Sequence, residues 1–380
     1  MVTSIWQMGI LPGTLKRRVE TSQGHHGDRP VLVVAVAAHD TVGYGESAAL
    51  VDPLPGDPAL EEVLRALEGG HGRRLLAASA ARGGAAPPSA VIAQLFGTSP
   101  LDRAVSHVIE MAVLDAELRS RGETLAAWAG VSRLSAPMSG LVVASVDGGP
   151  DEIAAQVEHL LALGCTQLRV KIRPGFDVEP LSWVRRAAPH VRLHGDANAA
   201  YRLDGDDRDG PRALAALMAV GVDCIEQPLA ANLVADHAVL RQQLSIPIAL
   251  DESLASPQQL KHAIAYGALD VACLKPVRLG GLAATVSALT MTARAGIDAF
   301  VGGFYETSWA RSTLAVLAAH DGATLSSDCT PPATYGLSDD GSLRTGGAGV
   351  LLPSGVGVSG ADEEFFAARV PVWTAFPLDA

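Results

Sequence analysis

Residues 191–226 read VRLHGDANAAYRLDGDDRDGPRALAALMAVGVDCIE. Val191–Asp196 is a β-like run that ends on a carboxylate. Ala213–Val220 carries a helical apolar pattern, and Val222–Glu226 is a second β-like run that again ends on a carboxylate. A strand, a helix and a strand in this order make a parallel β/α unit, because parallel strands need a crossover between them. The same rhythm extends outward. Further β-like runs lie at Leu141–Ala144, Gln167–Ile172, Ile246–Asp251, Val271–Lys275, Ala299–Gly302 and Thr324–Leu325. Helical patterns at Ile153–Leu163, Pro257–Tyr266 and Ala283–Ala295 separate several of them. Strands recurring every roughly 25–30 residues with helices between them predict a closed β/α barrel.

The N-terminal third has a different grammar. Val31–Ala37 is a β-branched run preceded by a turn at His26-Gly27-Asp28, and a second strand leads into Gly43-Tyr44-Gly45-Glu46, so an antiparallel pair is expected. A helix is expected over Asp57–Leu67, opening on Asp57-Pro58 as cap and first turn. Ala77–Ala90 reads as a connection, and Leu101–Arg121 as a long helix with Ile109, Ala112, Val113 and Ala116 on one stripe. The tail from Leu351, rich in Pro and Gly, is expected to return to the N-terminal part.

Hydrophobic residues make up 48% of the 380, enough for a sizeable core, and the net charge is −12. That balance argues against a nucleic-acid backbone or an anionic membrane as partner. The longest apolar stretch, Pro30–Ala38, is well short of the roughly 20 residues of a membrane-spanning helix. The opening MVTSIWQMGILPG lacks the basic-then-apolar pattern of a secretory signal. Cys165, Cys224, Cys273 and Cys329 show no CxxC spacing and sit among apolar residues, so reduced core cysteines in a cytoplasmic protein are expected.

The carboxyl ends of barrel strands carry the active sites of such folds. The second strand ends in Arg169-Val170-Lys171, and period-2 alternation puts Arg169 and Lys171 on one face. The third ends in Asp196-Ala197-Asn198, the fourth in Glu226-Gln227-Pro228, the fifth in Asp251-Glu252-Ser253 and the sixth in Lys275-Pro276. The seventh runs to Gly302-Gly303, with Glu306 in the loop beyond. One carboxylate at a strand end is most often a helix cap or half an ion pair. Three on consecutive strands converge on one small volume and repel unless a cation neutralises them. With no Cys or His expected nearby, all-oxygen ligands suit Mg²⁺, or Mn²⁺, over Zn²⁺. Asn198 and Glu252 are expected in an outer layer around the metal or on the substrate. Lys171 and Lys275 flank the site from opposite sides, and a lysine near a dication has a lowered pKa and can act as a general base. Metal and cationic side chains would stabilise the enediolate left when a carboxylate loses its α-proton. His194 points the same way as Asp196, one layer deeper, and reads as a hydrogen-bonded core histidine.

In their order and spacing, MAVLDAELR (111–119), LRVKIRPGFDVEP (168–180), GDANAAY (195–201), IEQPL (225–229), PIALDES (247–253), LKPVRLGG (274–281) and GGFYET (302–307) resemble one family. It is the o-succinylbenzoate synthase / N-acylamino acid racemase family, of the muconate-lactonizing subgroup of the enolase superfamily. The resemblance implies an α/β fold: a (β/α)7β modified TIM barrel over 131–345 beneath an α+β capping domain, 1–130, completed by the tail 346–380. It implies metal ligands Asp196, Glu226 and Asp251 and acid/base residues Lys171 and Lys275. Loops around Thr21–Asp28 and Leu50–Gly56 would cover the site and set substrate choice. The leading expected activity is o-succinylbenzoate synthase, a syn dehydration on the path to menaquinone, with Lys171 as base and then acid. Racemisation of N-succinylamino or other N-acylamino acids is the close rival, with Arg278 tuning Lys275 as a second base. Dipeptide epimerase, muconate cycloisomerase and a non-catalytic descendant stand further off. The partner expected is a small carboxylate substrate, in a homo-oligomer.

Two departures from the family pattern stand out. Arg169 replaces the usual first lysine of Lys-x-Lys; it keeps the charge but cannot act as a base, so charge stabilisation is its expected role. The loop Leu203–Pro211 is unusually acidic and has no functional account. The strand-seven segment IDAFVGGFYE (297–306) has no histidine, which argues against a mandelate-racemase-like base.

Overall fold

The structure is a computed structural model that describes residues 4–21, 23–145, 148–206, 208–335, 337, 343–347 and 349–376. Seven strands, Ser139–Val142, Gln167–Lys171, Arg192–Asp196, Cys224–Glu226, Ile248–Leu250, Val271–Leu274 and Asp298–Val301, pair in parallel, each with its neighbours in sequence. Helices cross over between them, including Val178–Ala187 and Val234–Gln243, which are not among the expected helices. The expected helix Ala213–Val220 is an α-turn, Pro211–Ala216, that tightens to a 3-10 turn over Leu217–Val220.

Thr324–Leu325, expected as an eighth strand, forms no regular ladder. The chain here closes the ring by single hydrogen bonds to both neighbours. Leu325 N donates to Ala299 O at 3.0 Å and Asp328 N to Val301 O at 2.9 Å, while Ser139 N donates to Ser327 O at 2.8 Å. The closing strand therefore reaches to Asp328, beyond the last apolar residue that marked it in sequence.

Alternation sorts the strand residues. Leu168, Val170, Leu193, Ile225, Ile248, Leu250 and Leu274 point outward to the helices and join the main buried core. The intervening residues line the inside of the barrel, where Cys224, Ala249, Cys273 and Phe300 form a small apolar floor.

Above the barrel lies an antiparallel sheet in the order Trp373–Ala375, Ile5–Leu11, Val31–Ala38, Thr41–Glu46. The expected turn at His26-Gly27-Asp28 is instead part of a strand, Gly24–Asp28, which forms a hairpin with Thr14–Thr21. The long helix Pro100–Arg121 packs across the sheet. Ser99 Oγ accepts from Asp102 N at 3.1 Å, and Asp102 Oδ2 accepts from Ser99 N at 3.0 Å, a reciprocal cap at its N-terminus. Gly122, at φ 66°, ends it in the left-handed region. The sheet approaches this helix so closely that a Cβ on Gly43 would lie 2.2 Å from Ala112 O, and one on Gly45 2.0 Å from Val108 O.

Two expectations for this region need correction. The first short helix runs Leu60–Glu68, not from Asp57; Glu62 caps it by accepting from Ala59 N at 2.8 Å, because the Asp57 carboxylate is engaged elsewhere. The next helix, Gly70–Ala80, extends into the supposed connection Ala77–Ala90, since its alanines favour helix and the chain breaks only at Gly83 and Gly84, both at positive φ. All four cysteines are buried and unbridged. Among the described residues no helix is long and apolar enough to cross a membrane.

Candidate active site

A cavity of about 500 Å³ opens where the barrel mouth meets the hairpin Thr14–Asp28 and the segment 50–57. Thr21, His26 and Leu54 come from above; Arg169, Lys171, Asp196 and Lys275 rise from the strand ends below. Gln23 Nε2 donates to Asn198 O at 2.9 Å and ties the hairpin turn to the third strand end.

Each cation beneath the cavity is paired. Lys171 Nζ donates to Asp196 Oδ2 at 2.5 Å and Lys275 Nζ to Asp251 Oδ2 at 2.8 Å. Arg278 Nη1 donates to Asp251 Oδ1 at 2.6 Å. Arg169 bridges Glu226, at 3.1 Å, and Asp328. Lys275 Nζ also stands 4.0 Å from the centroid of the Phe304 ring, with the Arg278 guanidinium 5.3 Å from the same ring.

Among the described residues, four left-handed non-glycine residues shape the rim: Asn198 at φ 40°, Ala199 at 64°, Gln227 at 40° and Tyr305 at 56°. Non-glycine residues adopt this conformation at a cost, and side chains brace it at Asn198 and Gln227. Asn198 N donates to Asp196 Oδ1 at 3.2 Å and its Nδ2 to Glu252 Oε1 at 2.9 Å. Gln227 Oε1 accepts from Asp251 N and Ser253 N, at 2.9 and 3.1 Å, bracing the fifth strand end. Asn198 and Glu252 thus stand one layer behind Asp196 and Asp251. Glu306 does not line that cavity: it accepts from Phe304 N, pairs with Arg311 at 3.2 Å and lines an adjoining cavity with Lys275. His194 is the core histidine expected: Gln167 Nε2 donates to its Nδ1 at 3.2 Å, and burial lowers its pKa to about 3.

Glu226 and Asp251 present carboxylate oxygens, and Cys273 its thiol, all within 4.8 Å of one another and all buried. A cysteine therefore does lie beside the carboxylates, contrary to the sequence expectation. Burial and Asp251 hold its thiol well above the ordinary range, so it stays protonated and suits a hard cation poorly. Asp196, which accepts from Lys171, is outside that tight group, yet it is the strand-pairing partner of Glu226. Burial pushes the Glu226 carboxyl up to about 8; Arg169 opposes this, and Asp196 and Asp251 add to the rise. Carboxylates crowded until one resists ionising form a donor set that fits a divalent cation.

Burial pulls the Lys275 amine down, but Asp251 more than offsets this and holds it above the ordinary lysine range. Arg278 and Lys275 in turn overcome the effect of burial on Asp251 and keep its carboxyl well below the usual range. Lys275 and Arg278 thus share the two oxygens of the Asp251 carboxylate.

Asp57, Asp328, His26 and Phe304 were not picked out from the sequence. Asp328 lay past the end assigned to the eighth strand. Asp57 looked like a helix cap. His26 lies in the segment Thr21–Asp28 expected to cover the site, and Phe304 in the motif GGFYET, but neither stretch gives the single residue a role. The acidic loop Leu203–Pro211 folds on itself: Asp209 Oδ1 accepts from Asp206 N at 3.1 Å, and Arg202 forks onto Asp204 at 3.1 and 3.2 Å. Asp207 lies outside the described residues.

Residues 152–361 match the family described as Enolase C-terminal domain-like. Over 379 residues the chain is 31% identical to an N-succinylamino acid racemase of Thermus thermophilus, covering 97% of each chain. It is 29% identical to an o-succinylbenzoate synthase of Geobacillus stearothermophilus, over 84% of this chain and 82% of that one. An enolase-superfamily structure from Listeria innocua superposes with a TM-score of 0.85 at 22% identity, covering 100% of both. The chain belongs to the enolase superfamily. It is an enzyme of that superfamily, whose common step is removal of a proton next to a carboxylate.

Proposed function

We propose that the protein racemises N-succinylamino acids with Mg²⁺ held by Asp196, Glu226 and Asp251. The carrying observation is the pair of lysines, Lys171 on strand two and Lys275 after strand six, at the rim of one cavity. Racemisation needs a proton acceptor on one face of the α-carbon and a donor on the other. Lys171 takes the α-proton from one enantiomer, and Lys275 returns a proton to the opposite face; for the other enantiomer the roles reverse. Arg169, fixed between Glu226 and Asp328, contributes charge and moves no proton. The cation, when bound, supplies positive charge against the developing enediolate. Thr21, His26 and Leu54 enclose the substrate from above and keep bulk water from the lysines. The full-length likeness to a racemase supports this reading above the dehydration that headed the sequence expectations.

The second reading is o-succinylbenzoate synthase, supported by the likeness to synthases. There Lys171 alone would move the proton, and Lys275 would contribute only charge. Incubation in D₂O separates the two. A racemase incorporates deuterium at Cα of both enantiomers of an N-succinylamino acid, and Lys171→Ala and Lys275→Ala each abolish exchange with a different enantiomer. Rapid dehydration with exchange of neither enantiomer would reverse the order.

A further inference from the structure

Another polar path enters the site, from the cap side and through Asp57. This residue lies between the cap sheet and the helix Leu60–Glu68. Its carboxylate receives Arg278 Nε at 2.8 Å and Nη2 at 2.7 Å, a two-pronged pair that fixes the guanidinium plane. The remaining nitrogen, Nη1, donates to Asp251 Oδ1 at 2.6 Å, while Lys275 holds Asp251 Oδ2. The Arg278 side chain is only 4% exposed and that of Asp57 15%. The Arg278 carbonyl is gripped as well, accepting from Arg103 Nε on the long cap helix at 2.7 Å. Around this pair the segment 50–57 and the barrel meet across an apolar cavity of about 400 Å³ lined by Leu50, Leu54, Val277 and Phe304. Directional contact across that boundary comes from the ion pair. The other side of the site is built differently: among the described residues, the ion pairs of Lys171 and Arg169 are with barrel carboxylates.

We propose that Asp57 is a positioning residue that seats the cap segment 50–57 and, through Arg278 and Asp251, sets the Lys275 side of the site while leaving the Lys171 side alone. Without the Asp57 fork, Arg278 keeps a buried charge with two nitrogens unmatched. It then turns toward the carboxylates that remain in reach, Asp251 and Glu252, and competes with Lys275 for Asp251.

The kinetic arm of the test rests on the racemase reading; the structural arm does not. Both use the full-length, Mg²⁺-loaded enzyme with Asp57→Asn and, as the rescue, Asp57→Glu. Hydrogen–deuterium exchange of the backbone amides is expected to rise in 50–57 for Asp57→Asn, to fall back for Asp57→Glu, and to stay unchanged in the barrel strands. In D₂O, Asp57→Asn is expected to slow α-proton exchange of one enantiomer of an N-succinylamino acid about tenfold more than the other. That enantiomer is the one whose exchange Lys275→Ala abolishes. Unchanged amide exchange in 50–57 overturns the proposal whatever the kinetics, as does equal slowing of the two enantiomers. If the wild-type enzyme exchanges neither enantiomer, the racemase reading fails, and amide exchange alone decides for or against Asp57.

Discussion

Arg169 stands between two buried carboxylates, Glu226 and Asp328, and its side chain is itself 10% exposed. Arg169→Ala leaves both carboxylates without their cation. Turnover is expected to fall about 10²–10³-fold, and unfolding free energy by about 3–5 kcal/mol. Arg169→Lys restores one positive charge but cannot fork across both partners, so it should keep substantially more activity than the alanine variant. Steady-state kinetics beside urea unfolding checks this; alanine turnover equal to wild type would leave Arg169 a purely structural role. The carboxylates make a second test. Asp196→Asn, Glu226→Gln and Asp251→Asn should each weaken Mg²⁺ binding by calorimetry and lower turnover at least about 10²-fold, and EDTA should abolish activity that Mg²⁺ restores. Full activity in EDTA would remove the metal from the proposal. The strand-end positions of these residues were legible because strict alternation converts a short motif into a facing direction. Asp328 and Asp57 were hidden for opposite reasons. The first follows a strand with no ladder to mark its end, and the second satisfies a helix-cap pattern that the fold does not use.

Between the cap sheet and the helix Pro100–Arg121, glycine decides the spacing. Gly45→Ala puts a methyl group 2.0 Å from the Val108 carbonyl, so sheet and helix must part. A loss of about 1–3 kcal/mol is expected, read as a lower urea midpoint. Ser99→Ala, which removes one half of the reciprocal cap on the same helix, should cost about 1 kcal/mol. A Gly45→Ala protein as stable as wild type would show that the two layers can slide apart freely. Elements with a strong internal signal were legible: the long helix, the β-branched Val31–Ala38 and the parallel strands. Those set by partners were not. Gly24–Asp28 is a strand only because Thr14–Thr21 lies beside it, and its own sequence, GHHGD, favours a turn.

Across the molecule, buried ionisable groups pull the pH profile of stability in two directions. Burial lowers His107 to about 3, His194 to about 3 and His237 to about 4. Each binds a proton more readily when unfolded, so its contribution is full above the unfolded value of about 6.5 and is lost as pH falls toward the folded value. Burial raises Glu46 and Glu110 to about 7. Their contribution is full below the unfolded value of about 4.3 and is lost as pH rises through 7. Between these limits the glutamates soften the acid loss caused by the histidines. Glu46→Gln should therefore make stability fall more steeply between pH 6.5 and 4.5 than in wild type, by chemical unfolding at each pH. Comparing the two proteins cancels the metal site, and parallel profiles would show that Glu46 titrates normally.

The cap sheet joins distant parts of the chain, with Thr374 opposite Met8. A ribosome releases the Ile5–Leu11 strand early and its Trp373–Ala375 partner only after the entire barrel has emerged. During synthesis, then, one edge of the sheet waits uncovered while the parallel strands assemble in sequence order. Such an edge invites pairing with other nascent chains. Release of Trp373–Ala375 also completes the four-stranded cap sheet. The covered sheet should accordingly appear late and abruptly in translation, rather than growing with chain length.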